Sequence, residues 1–106
     1  MATYQEASDA LSTAISKLSD AYKAANSADD KDKVFAAMEV LQDELNEVTA
    51  HGLAASTKQY EALTATFKSY KAQLDQVRDD INNIVKYAKL ASDVIAALQK
   101  VAALFA

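Results

Sequence analysis

An all-α helical bundle is the fold class this sequence predicts, and three observations predict it. The chain has no proline and one glycine in 106 residues, so the breakers that strand-rich folds need at their turns are missing. Ala, Leu, Lys, Gln, Glu and Asp dominate, which makes helix propensity high overall. Apolar residues recur at alternating spacings of three and four along most of the chain, the mark of helices with one buried face.

A first helix is expected over about 3–26, where Tyr4, Ala7, Leu11, Ala14, Leu18, Ala21 and Ala25 form a stripe that Ile15 and Tyr22 widen. Alanines alternate with larger residues in it, so a partner helix can approach closely. Asn26-Ser27-Ala28-Asp29-Asp30 supplies a turn and N-cap candidates, because short oxygen-bearing side chains accept from the unpaired amides of a helix start. The second helix, about 29–51, shows Val34, Met38, Leu41, Leu45 and Val48 on one face, with Phe35, Ala37 and Val40 beside it. It ends at His51-Gly52, since glycine takes the left-handed conformation of a helix end without strain.

The third segment carries fourteen consecutive apolar seam positions, from Tyr60, Leu63, Phe67 and Tyr70 through Leu74, Val77, Ile81 and Ile84 to Ala102 and Phe105. Helix-weak residues at Arg78-Asp79-Asp80-Ile81-Asn82-Asn83 interrupt neither the spacing nor its phase. The expectation is one long helix over about 54–105, roughly 75 Å at 1.5 Å per residue. Its alternative is a break near 79–83, giving four helices of similar length in an up-down-up-down bundle.

Length and composition bound the rest. The 106 residues are expected to form a single all-helical domain, in the size range where oligomerisation often supplies part of the core. No cysteine is present, which removes disulfides and thiolate chemistry. The N-terminal Met-Ala-Thr-Tyr-Gln-Glu has neither a basic region nor an apolar run, so the cytoplasm is the default expectation, with export by a route that reads no classical signal peptide left open. Residues 81–106 are apolar but interrupted by Lys86, Lys89, Asp93 and Lys100, too many charges for a comfortable membrane span.

Divided after Gly52, the chain has ten acidic residues against four lysines in its first half, net -6, and five acidic against seven basic in its second, net +2. An acidic helical hairpin facing a mildly basic helix has attractive long-range electrostatics, within one chain or between subunits; two solvated faces of different composition are the alternative reading. Nucleic acid is not an expected partner, because Lys58, Lys68, Lys71, Arg78, Lys86, Lys89 and Lys100 are spread thinly rather than clustered.

The C-terminal segment is the sharpest local signal. From Leu90 onward a second apolar stripe joins the seam, and the candidate interaction surface is Leu90, Val94, Ile95, Leu98, Val101, Leu104 and Phe105. Leaving such side chains in water forfeits about 1.5 to 3 kcal/mol each. Three explanations compete: a central helix of the protein's own bundle, burial in a multimer or by a cognate partner, and membrane insertion after a conformational change. The absence of tryptophan weighs against the third.

Catalytic and metal constellations are weak. Glu44, Glu47 and His51 share a helical face, but His51 is the only histidine, and helical di-iron sites use Glu-x-x-His twice with two further glutamates. Asp79 and Asp80 are adjacent and cannot face one another on a helix. With one glycine there is no phosphate loop and no nucleophile elbow. The size, the helix-turn-helix arrangement and the mid-chain glycine superficially resemble the small helical-hairpin substrates of type VII secretion. That family's Trp-x-Gly turn is missing, His51-Gly52 being all that remains, and no family is assigned.

The sequence thus predicts a non-enzymatic helical protein that acts through helix packing, as an assembly subunit, adaptor or small chaperone-like partner. A membrane-active or pore-forming component that exposes its apolar C-terminal helix on oligomerisation is the alternative. Expected partners are further copies of the chain or a cognate helical protein, with a membrane less favoured; no cofactor and no metal are expected.

Overall fold

Thr3 opens the first helix with a capping box: its hydroxyl accepts from Glu6 N–H at 3.2 Å while the Glu6 carboxylate accepts from Thr3 N–H at 3.0 Å. Helix α1 then runs Tyr4–Ala24. Ser27 caps α2, Ala28–Ala50, through a 3.1 Å bond from Asp30 N–H. Gly52 follows that helix with φ at 67°, the only positive φ among the described residues. In this computed structural model, the described residues are 2–52 and 56–105.

The chain is all-α, with no strand among the described residues, but its C-terminal half is not one helix. Residues 56–64 form a non-helical connector, α3 is a single turn at Ala65–Lys68, α4 spans Lys71–Ile84 and α5 spans Ala88–Ala102, followed by a 3-10 turn at Ala103–Phe105. The expected helix start at 54 lies outside the described residues. The break expected near 79–83 lies instead at Val85, Lys86 and Tyr87, with 79–83 helical inside α4.

Packing explains both corrections. A 75 Å helix would leave half its apolar face without a partner, whereas two shorter helices folded together bury that face within one chain. At the break Val85 takes an extended conformation (φ -116°, ψ 123°) with its side chain 2% exposed. Asn82 and Asn83 precede it, both poor helix formers, and no glycine or proline is involved.

The connector also completes α1. Lys58 C=O accepts from Tyr4 N–H at 3.0 Å and Ser56 C=O from Gln5 N–H at 3.3 Å, while Tyr60 N–H donates to Ala2 C=O at 2.8 Å. Together with Thr3, the Lys58 and Ser56 carbonyls satisfy first-turn amides that a helix cannot pair for itself.

Helix α1 packs along α2 and α5, and α4 packs along α5 and α2. Chain direction follows from contacts at the ends. Asn26, in the α1–α2 turn, donates to Ile84 C=O at 3.4 Å, so α4 ends beside that turn. Phe67 stacks on Phe105 with ring centroids 4.6 Å apart, so α5 returns toward α3. The shared core holds Ala7, Leu11, Ala14, Leu18 and Ala21 of α1 against Val34, Ala37, Leu41 and Val48 of α2. Tyr60, Phe67 and Val85 join it, as do Leu74, Val77, Ile81 and Ile84 of α4 and Ala91, Val94, Ala97, Leu98 and Val101 of α5.

Candidate interaction surface

The seven apolar residues singled out near the C-terminus divide into two groups. Val94, Leu98 and Val101 are buried in the chain's own core, at no more than 1% exposure. Leu90, Ile95, Leu104 and Phe105 are half-buried and pack against that core. As a single chain the bundle already encloses much of this stripe. Among the described residues no helix is long and apolar enough to cross a membrane; α5, with 15 residues, covers about 22 Å against about 30 Å of hydrocarbon.

Glu44, considered above beside Glu47 and His51, turns the other way. Its side chain sits fully buried on the α2 inner face, in register with Val34, Ala37, Leu41 and Val48. There one carboxylate oxygen accepts from the Tyr60 hydroxyl and from Leu63 N–H at 2.8 Å, and the other accepts from Thr64 N–H at 2.8 Å. Three charge-assisted bonds offset the cost of enclosing the group. Burial, with the hydrogen bond and charge of Glu44 added, pushes the Tyr60 phenol well above the usual tyrosine range. Enclosed in this way, Glu44 holds the connector in place rather than meeting a substrate. Glu47 and His51 stay on the solvent side and pair with each other at 3.3 Å, and no group of three potential metal ligands occurs among the described residues.

Two open grooves mark the surface. One, about 370 Å³, lies between α1 and α5 and is lined by Glu6, Asp9, Thr13, Lys100 and Leu104 with neighbouring alanines. The other, about 400 Å³, lies between α2 and α4, with Lys33, Tyr70, Gln73, Gln76, Val77 and Asp80 around it. Lysine and carboxylate stand together in each, and neither contains a histidine.

Among the described residues, the large hydrophobic side chains that remain exposed are Tyr22 at 38%, Phe35 at 49% and Tyr87 at 69%. All three belong to the same end of the bundle, the end where Asn26 ties the α1–α2 turn to Ile84 at the start of the α4–α5 turn. Tyr22 and Phe35 form a tilted pair with centroids 6.1 Å apart. Lys31 lies over Tyr22, with Nζ 4.7 Å from its ring centre and donating a 2.7 Å bond to Tyr22 C=O near the end of α1. Tyr87 stands on the opposite turn between Lys86 and Lys89, with half-buried Leu90 three residues on. Leu90 is thus the member of the sequence-derived set that lies at this end.

Sequence reasoning placed Tyr22 and Phe35 on helical stripes but had no means of seeing that one end of the bundle collects them. That Tyr87 lies at the same end depends on the reversal at 85–87, which the helix-weak Asn82 and Asn83 precede but no glycine or proline marks.

The chain matches no known family model, no curated protein and no solved structure.

Proposed function

We propose that this chain is a non-enzymatic helical protein that acts by packing against a protein partner, as an assembly subunit or adaptor. The observation that carries the reading is the collection of Tyr22, Phe35 and Tyr87 at one end of the bundle. Exposed apolar residues scattered singly need no explanation, whereas aromatic residues gathered on one surface are the usual anchors of an interface. The contact of Lys31 with Tyr22 favours the same reading, because an aromatic ring already held in place loses little freedom on binding.

A photo-crosslinking residue introduced at Tyr87 in the full chain, in its cells of origin, tests this. A discrete protein product is expected at position 87 and not at Gln42, an exposed position on α2. Equal, unselective labelling at both positions overturns the reading.

A further inference from the structure

We infer that α5 exchanges between two copies of the chain: α4 and α5 straighten through 85–87 into one helix, and each α5 packs on the other copy's core. The inference rests on the packing role proposed above. The reversal is built as an interrupted helix. Val85 N–H still donates to Ile81 C=O and Ala91 N–H already donates to Tyr87 C=O, each at 2.9 Å, so Lys86 alone separates the two ladders. Apolar spacing crosses the reversal in phase, with Ile81, Ile84, Ala88, Ala91 and Ile95 at intervals of three and four. A loop that serves only to join two helices has no reason to keep that phase. No glycine, proline or positive φ fixes the turn, and α5 starts at Tyr87 without the side-chain cap that Thr3 and Ser27 give α1 and α2.

Straightening restores what the reversal interrupts. The amides of 86–90 meet the carbonyls of 82–86, and one helix runs over 71–102, roughly 48 Å long. Ala88, exposed in the single chain although it lies on the seam, rejoins the apolar row. Tyr87, three residues after Ile84 and four before Ala91, stands beside that row at the junction of the two lobes.

Two contacts of the single chain oppose the change, the burial of Val85 at the turn and the 3.4 Å bond from Asn26 to Ile84 C=O. Elsewhere the exchange is close to neutral, because Val94, Leu98 and Val101 keep the same core neighbours, supplied by the other copy. The balance between the two forms is therefore set at the hinge. Reciprocal exchange fills both cores, so the assembly closes at two copies.

Refolding the full chain at about 1 mM and at about 1 μM, followed by size exclusion with light scattering, tests the exchange. A dimer that forms on concentrated refolding and persists on dilution is expected, because its return requires α5 to leave a core; a monomer at both concentrations overturns the inference. Co-refolding Lys17→Cys chains with Asp93→Cys chains then reads the geometry. These two residues approach to 3.9 Å across α1 and α5, and the chain has no cysteine of its own. A short bis-maleimide joins the two chains where α5 is exchanged, and a dimer that it never joins is paired in some other way, which sinks the proposal. Lys86→Pro probes the hinge. Proline favours an extended residue before it, as Val85 is, but breaks a helix interior, so the dissociation constant of the dimer rises roughly a hundredfold or more. A dimer indifferent to this change counts against a continuous helix. Should the variant fail to fold, Asn26→Ala, which removes the bond to Ile84 C=O, is expected to raise the association constant roughly fivefold or more, and no rise overturns the hinge account. A chain that stays monomeric yet crosslinks at position 87 to a different protein removes the exchange and leaves the packing role standing. One that does neither removes both.

Discussion

Glu44 is the residue on which the connector depends. As an acceptor-only group it meets three donors, the Tyr60 hydroxyl and the Leu63 and Thr64 amides, and no lysine or arginine pairs with it in the described chain. Tyr60→Phe removes one donor from an enclosed carboxylate and is expected to cost about 1 to 3 kcal/mol in urea denaturation. Glu44→Ala leaves all three donors without an acceptor and is expected to cost more than Tyr60→Phe does. A pH series separates the two partners. Burial holds the Tyr60 phenol protonated in the fold, whereas the unfolded chain ionises its tyrosines near pH 10. Above that pH the unfolded state binds fewer protons than the native state, so stability falls as pH rises. Tyr60→Phe flattens this alkaline fall, and Tyr70, also raised by burial, keeps part of it. In the sequence, Glu44 lay three residues after Leu41 and four before Val48, in step with the buried face. A carboxylate at such a position is read as a gap in the stripe, because its donors come from a connector that helical periodicity does not describe.

At the scale of elements, helices α1 and α2 were legible to within about two residues at each end, since the Ser27 cap and the glycine after His51 act locally. The third segment was legible in burial and not in conformation. Of its seam residues Ala88 alone is exposed, yet the backbone leaves the helical path before Ala65 and again after Ile84. Apolar spacing records which side chains reach the core; a reversal between two helices packed on the same core preserves that record. Val85 is the test of this account. It is enclosed at the reversal, while Tyr87 two residues on is 69% exposed. Val85→Ala is expected to cost about 2 kcal/mol, from two carbons of lost burial and a partly collapsed cavity. Tyr87→Ala is expected to stay within about 0.5 kcal/mol of the parent, measured on the same denaturation curves.

For the whole molecule the two sequence-level architectures differ most in extent. A helix of 75 Å contrasts with the 39 Å long axis and 13.3 Å Cα radius of gyration of the folded chain. Small-angle scattering at low concentration is expected to give a radius close to that value plus a hydration layer, and a rod-like profile would rule the bundle out. The acidic and basic halves defined by the sequence now have places, as the α1–α2 hairpin and the α4–α5 hairpin of one body. The two hairpins pack on each other through α1 and α5, and the aromatic end became visible only once the chain direction was known. At the other end, Ala2 and Glu6 line the same groove as Ala103 and Leu104, so residues near the two limits of the described chain are neighbours. A short covalent link there would leave the helices where they are, and the chain could be reopened at the exposed Lys86–Tyr87 turn.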